Sequence, residues 1–242
     1  GVAISGCTLE DNSRHGLYCY EAEVSVEDTT VASNMDEGIY CEKAVLSVDS
    51  CDITGNDDAG IYVYYGVLSV TGTYITNNTG YGIEGRNANV TLTACAISGN
   101  DDEGIYVFGW IASVIHVENC TISHNQQGIY AFWANLTVIR CEVVENEGNG
   151  ITCSDCPSVE VHESSIYSNG GYGIRAYSCT VNATGNWWNS TTGPELTFMP
   201  PDEVDPEEVW ACFGEVVYRP FLTAPPYVPP IDVEPPSLAI TE

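Results

Sequence analysis

Apolar and polar residues alternate along most of this chain, in runs of four or five residues that are rich in β-branched types. In the stretch "GIYVYYGVLSVTGTYITNN" (60–78), Ile61, Val63, Leu68, Val70 and Ile75 occupy every second position of three such runs, and Gly, Asn or Thr separate the runs. A period of two predicts short strands with one buried face; a helix would need apolar residues three and four apart.

The stretch is one copy of a repeat. The glycine of a Gly-(Ile/Leu)-x motif recurs at Gly16, Gly38, Gly60, Gly82, Gly104, Gly128, Gly150 and Gly173. The spacing is 22 residues, except 24 between Gly104 and Gly128 and 23 between Gly150 and Gly173. Stacking the copies gives apolar columns such as Leu9, Val31, Ile53, Ile75, Ile97, Ile122, Val143 and Ile166. Three residues after each of these stands an asparagine: Asn12, Asn34, Asn56, Asn78, Asn100, Asn125, Asn146 and Asn169. Three short strands per 22 residues predict an all-β fold, a right-handed parallel β-helix of about eight to nine coils over residues 1–193. A leucine-rich repeat has a similar period but requires a leucine-dominated consensus, which is missing. Coils stack about 4.8 Å apart, so like residues lie over like, and the asparagines should form a buried amide ladder.

The period ends with "GNWWNSTTGPE" (Gly185–Glu195), followed by "VVYRPFLTAPP" (Val216–Pro226). With these closing segments, residues 1–224 resemble the parallel β-helix repeat proteins of archaeal and bacterial cell surfaces, in which an N-x-W-G-x-x-x-G-P and a Y-x-P-W-L segment end the helix. Asn189 stands where that pattern has Gly, and Phe221 where it has Trp. The resemblance implies a secreted or surface location and no single activity. Residues 194–230 read as an extended Pro-rich, acidic tail packing on the helix, and 231–242 as a linker or the first strand of a following module. Aligning Cys7 with Cys51 places Gly1 part-way round a coil. From this we expect either that an upstream part is missing or that another chain supplies the first strand, with the first inward residues, Val2 and Ile4, forming an assembly end that associates head to tail with another copy.

Charge narrows the partners. Six basic residues against 34 acidic ones give a net charge of -28, which excludes a phosphate backbone or an anionic membrane surface as a favoured partner. The longest apolar run, Val107–Ile115, falls well short of the roughly 18 residues of a membrane span. Eleven cysteines and six N-x-Ser/Thr sequons, at Asn77, Asn89, Asn119, Asn135, Asn182 and Asn189, point to an oxidising, extracellular compartment.

Candidate chemistry is sparse. The carboxylate pairs Asp57–Asp58 and Asp101–Asp102 have no Lys or Arg nearby to bind a uronate, which argues against polysaccharide cleavage and for a chain that is not an enzyme. Asp36, Glu37, Asp57 and Asp58 lie at one turn of adjacent coils and make a candidate calcium site; no other cofactor is expected. The histidines, His15, His116, His124 and His162, share no spacing that suggests a transition-metal site. Several cysteines fall in inward columns. They read either as small buried residues or as staples, with Cys156–Cys179, Cys19–Cys41 and one pair among Cys95, Cys120 and Cys141 within disulfide reach. Cys212, outside the repeat, is the candidate unpaired cysteine.

An aromatic stripe points outward after the glycines: Tyr18, Tyr20, Tyr40, Tyr62, Tyr64, Tyr106, Phe108, Tyr130, Phe132 and Tyr177. A stripe of this length should be covered by the tail, another subunit or a stacked glycan. The sequence therefore predicts a structural subunit of an extracellular sheath, surface layer or fibre, with a carbohydrate-binding or carbohydrate-processing surface module as the alternative.

Overall fold

The computed structural model describes residues 1–194, 196–197, 209–212 and 215–226. The described residues form strands and turns without a helix. Most coils have three strands, as in Ile39–Glu42, Val45–Asp49 and Asp52–Thr54; in two coils the first two run together, as Ile105–Glu118 and Ile129–Ile139. Every strand pairs in parallel with its counterpart one coil away: Ile39 with Ile61, Leu46 with Leu68, Ile53 with Ile75. The chain is thus a parallel β-helix of about eight turns, as the repeat predicts. Its interior is the stack of Ile, Leu and Val columns, nearly all fully buried. Burial of each such side chain contributes about 1.5–3 kcal/mol.

All three corners of the coil use a left-handed residue. One corner has Ser33, Gly55, Asn77 and Gly99 at positive φ, a second has Ser50, Gly72 and Ala94, and a third has Lys43, Tyr65 and Asn87. The first of these precedes the asparagine column, which forms the expected ladder. Asn56 Nδ2 donates to Asn78 Oδ1 at 2.9 Å, and Asn78 Nδ2 donates to Asn100 Oδ1 at 2.9 Å. The same oxygens accept the backbone N–H of the neighbouring asparagine, at 3.1 Å in both pairs. The glycine column exists to make room for it: a Cβ on Gly60 would lie 2.9 Å from Asn78 Nδ2 and 2.8 Å from the Gly82 carbonyl oxygen.

A second interior column holds five of the eleven cysteines, Cys7, Cys51, Cys95, Cys120 and Cys141. Thr29 Oγ1 accepts the Cys7 N–H and donates to the Glu27 carbonyl. Cys120 Sγ, in the equivalent place, accepts the Cys95 N–H at 3.3 Å and donates to the Glu118 carbonyl at 3.2 Å. Cys141 Sγ does the same for the Cys120 N–H at 3.5 Å. Cys95, Cys120 and Cys141 are therefore thiols standing in for Thr or Ser, and no pair among them forms a disulfide. Cys19 and Cys41 do, across stacked coils with Cα atoms 4.7 Å apart. Cys156 and Cys179, expected to be bonded, are separate thiols. Their sulfurs point to different carbonyls, that of Ala131 for Cys156 and that of Cys153 for Cys179. Cys212 lies in a strand whose side chains fall outside the described residues.

Beyond residue 194, two strands continue the solenoid. Val209–Cys212 pairs with Ile174–Tyr177, and Glu215–Val217 with Thr180–Asn182. These parts of the expected tail do more than lie on the helix: they add backbone hydrogen bonds to its last coil. Trp188 is fully buried at this end, and Gly193, at φ +88°, lets the Phe221 ring pack directly over it. The rest of 194–230 and all of 231–242 are largely outside the described residues. At the other end Val2 pairs with Val24 and is 57% exposed, while Ile4 is half-buried.

Candidate functional site

The aromatic stripe is not one continuous open surface. It consists of two columns. One contains Tyr18, Tyr40 and Tyr62, then Glu84, then Tyr106 and Tyr130; the other contains Tyr20, Glu42, Tyr64, Arg86, Phe108 and Phe132. Rings stack on their neighbours, Tyr40 on Tyr62 at 4.9 Å and Tyr18 on Tyr40 at 5.4 Å. This stacking leaves most of them half-buried; Tyr18, Tyr20 and Tyr177 remain exposed. The expectation of a fully solvent-facing stripe is corrected accordingly. Burial pushes the Tyr62 and Tyr81 hydroxyls up to about 12, so at neutral pH they donate hydrogen bonds and do not act as bases.

The break in both columns is an ion pair. Arg86 Nε donates to Glu84 Oε1 at 2.6 Å, and the guanidinium lies over the Tyr62 ring at 5.9 Å. The Glu84 carboxyl is raised above its usual range, first by burial, while the Arg86 partner acts in the opposite direction. Arg86 itself is exposed.

Beside Arg86 the solenoid carries a bulge. Strand partners are 22 residues apart before it, Arg86 with Phe108, and 25 apart after it, Val90 with Ile115. The extra residues lie at 109–112, where the register to the next coil also shifts. Two asparagines pin the bulge from the coil below. Asn87 Oδ1 accepts the Trp110 N–H at 2.7 Å, and Asn89 Oδ1 accepts the Val114 N–H at 3.0 Å. Trp110, 67% exposed, meets Trp133 with ring centroids 5.0 Å apart. Trp133 in turn stacks on Phe132 at 4.5 Å.

Tyr65 and Trp133 both sit at left-handed corner positions, with φ of 50° and 54°. Other coils fill this corner with Glu21, Lys43, Asn87, Asp155 and Ser178. A bulky aromatic in this conformation costs about 1–2 kcal/mol that glycine would not. Backbone cost of this kind clusters at functional positions.

Between these groups lies a cleft of about 450 Å³ lined by Tyr64, Tyr65, Arg86, Asn87, Phe108 and Trp110. A second hollow of about 360 Å³ continues past Tyr65 and Asn87 to Lys43 and Asn89. Lys43 and Arg86 are two of only six basic residues in the chain. The sequence reading missed Tyr65, Trp110 and Trp133. The signal was the 24-residue interval between Gly104 and Gly128, the mark of an insertion.

The other predicted site residues are dispersed. Asp58 Oδ1 accepts the Ala59 N–H at 2.9 Å. Asp36 and Glu37 converge instead with His15. Among the described residues this is the one group of three His, Cys, Asp or Glu whose ligand atoms all lie within 4.8 Å of one another, and Asp57 and Asp58 are not part of it. Asp102 is raised by burial first and then by the charge of Asp58, two coils below. Of the sequon asparagines, Asn77, Asn89 and Asn189 are exposed. Asn119, Asn135 and Asn182 are half-buried, and Asn182 donates to Glu160 at 2.8 Å. Among the described residues no helix is long and apolar enough to cross a membrane.

Two solved structures share this architecture. The Azotobacter vinelandii mannuronan C-5 epimerase AlgE6 A-module is 15% identical with a TM-score of 0.57, covering 85% of this chain and 65% of that one. The periplasmic alginate epimerase AlgG T265N mutant is 12% identical with a TM-score of 0.54, covering 83% of this chain and 62% of that one. At such identity the likeness is one of fold, and this chain spans less than two thirds of either. No curated protein matches the chain at the sequence level. The family model for the right handed beta helix region matches residues 1–69 and 38–188, and with the coils, ladders and closing segment described above, the chain belongs to the right-handed β-helix family.

Proposed function

We propose that this chain is a carbohydrate-binding module of an extracellular surface, holding a saccharide across the corner where Tyr65, Trp110 and Trp133 project. The observation that carries the reading is the cleft itself, where exposed aromatic faces alternate with Arg86, Asn87 and Lys43. Sugar rings offer flat C–H faces that stack on aromatic rings, and hydroxyls that pair with amide and guanidinium donors. A uronate carboxylate suits this place best, because two of the chain's few cations flank the aromatics. The two fold neighbours are an alginate epimerase and a mannuronan epimerase, which is compatible with such a ligand. The Cys19–Cys41 disulfide and the sequons support the extracellular setting.

A second reading, association of copies in a surface assembly, rests on the same exposed Trp110 and Tyr65. The polar groups interleaved with the rings favour a hydroxyl-rich ligand over an apolar partner face. Calorimetric titration with neutral and uronate oligosaccharides, run beside sedimentation, tests both readings. We expect saturable binding that Trp110→Ala and Trp133→Ala each weaken at least tenfold, from a chain that stays monomeric. Absence of binding to every sugar overturns the proposal. Concentration-dependent association abolished by Trp110→Ala would establish the assembly reading in its place.

A further inference from the structure

We infer that His15, Asp36 and Glu37 form a binding site for a divalent transition-type cation, of which zinc is the natural probe. The site is separate from the aromatic cleft. It spans the first two coils: His15 precedes Gly16, and Asp36 and Glu37 precede Gly38.

The geometry is close to that of a coordinated ion. His15 Nδ1 lies 2.7 Å from Glu37 Oε2 and 4.0 Å from Asp36 Oδ2. Zinc–nitrogen and zinc–oxygen bonds of about 2.0–2.2 Å in a tetrahedron place ligand atoms about 3.3 Å apart, midway between these two distances. A small rotation of either carboxylate equalises them.

A second observation separates this group from an ordinary acidic edge. The His15 side chain is only 10% exposed, and its Nδ1, sealed from solvent, makes no hydrogen bond. The Glu37 oxygen is near enough but lies off the direction in which a ring N–H would point. A buried ring nitrogen aimed between two carboxylates without a hydrogen bond is suited to donate its lone pair to a cation. The ring is held in that orientation by contacts with Tyr40 at 5.0 Å and Tyr18 at 5.9 Å. Asp36 is 42% exposed, so the fourth position opens to water.

The donor set selects the ion class. Calcium takes six to eight oxygen ligands, whereas one imidazole with two carboxylates is a zinc-type set. One group competes. Arg14 Nε lies 3.5 Å from Asp36 Oδ2, and its guanidinium also reaches His15 Nε2 at 3.4 Å. Arg14 is 76% exposed and free to swing outward, so it occupies the place of the missing positive charge until a cation arrives.

The arginine gives the test a sign. Calorimetry on the chelator-treated chain should show one equivalent of Zn²⁺ bound at least tenfold more tightly than Ca²⁺. Glu37→Gln, nearly isosteric, should weaken Zn²⁺ binding at least tenfold while leaving metal-free thermal unfolding unchanged. Arg14→Ala should tighten it several-fold. Co²⁺ in place of Zn²⁺ should give a visible band without thiolate charge transfer, which separates this site from the cysteines. Equal affinities for Zn²⁺ and Ca²⁺, or binding unchanged in both Glu37→Gln and His15→Ala, would mean a loose ion atmosphere on an acidic surface and would overturn the inference. Thiolate charge transfer with Co²⁺ would also overturn it.

Discussion

Two corners of the same coil show how one backbone serves two purposes. At the asparagine corner, successive coils repeat the same buried amide, and each amide completes its neighbour. At the opposite corner the backbone is again left-handed in coil after coil, but the residue changes from Glu21 to Lys43, Tyr65, Asn87, Trp133 and Asp155. A position that holds the solenoid together admits one chemistry, because an error in one coil leaves polar groups unpaired in the next. A position facing solvent carries no such constraint and is free to hold aromatics, an insertion and two of the rare cations. Uniform columns mark structure here, and the column that departs from uniformity marks the candidate site.

The largest expected effect is at the uniform corner. Asn78→Ala removes the amide that donates to Asn100 Oδ1 and to the Ile53 carbonyl; it strands the N–H of Asn56 and leaves Asn56 Nδ2 with the Val31 carbonyl alone. Each buried group left unsatisfied costs about 1–3 kcal/mol, so a loss of at least about 3 kcal/mol is expected in urea unfolding. A loss below about 1 kcal/mol would show that water replaces the amide and would remove the distinction between the corners.

Asn87→Ala tests the variable corner in the same way. It deletes the acceptor for the Trp110 N–H, an exposed bond worth about 1 kcal/mol. Stability should fall by no more than that, whereas oligosaccharide affinity should fall about fivefold as Trp110 loses its anchor. A stability loss equal to that of Asn78→Ala would mean that the bulge is structural.

Charge lies close to the neutral ladder. The amide ladder itself is neutral, while Asp102 and Glu103 just beyond Asn100, Glu84 on the aromatic strand, and Asp52 are all raised, with burial the first cause in each. A carboxyl with a raised folded-state value binds protons more readily folded than unfolded. Its contribution is therefore present at low pH and is lost as pH rises through the raised value. The thermal midpoint should increase as pH falls from 7 towards 5, and the increase should shrink in Glu84→Gln with Glu103→Gln. A midpoint that falls steadily over this range would contradict the burial described for these groups.

Most of the solenoid was legible because stacked coils turn a period in the sequence into contacts in space. The Gly column, the Asn column and the alternating Ile and Val positions each specify a place, and the ladder follows from them. The Cys19–Cys41 bond was legible for the same reason. Cys156 and Cys179 were misread because sharing a column sets Cα distance but not where each Sγ points, and Cys95, Cys120 and Cys141 because a thiol can do the work of a Thr hydroxyl. The His15, Asp36 and Glu37 group lies one 22-residue period apart, His15 to Glu37, and was missed because the histidines were compared only with one another. The cleft was hidden because its residues are the exceptions to the repeat, and averaging the copies removes them.

The smallest effect is expected from Tyr65→Asn, and it bears most directly on why the variable corner exists. Asn87 fills the same position one coil on and adopts φ of 53° with less cost than a large ring does at 50°. The substitution relieves about 1 kcal/mol of backbone cost. It forfeits the contact of Tyr65 with Tyr64, whose centroids are 4.5 Å apart, worth about 0.5–1.5 kcal/mol. Tyr65 is 45% exposed, so little further burial is lost. The two terms nearly cancel, and unfolding should shift by no more than about 0.5 kcal/mol in either direction. Sugar affinity, by contrast, should drop several-fold, since the ring lines both hollows. A variant that unfolds like the parent yet binds worse would show that the tyrosine is kept for its ligand. A variant that loses stability and keeps its affinity would place Tyr65 with the structural residues and leave sugar binding to Trp110 and Trp133.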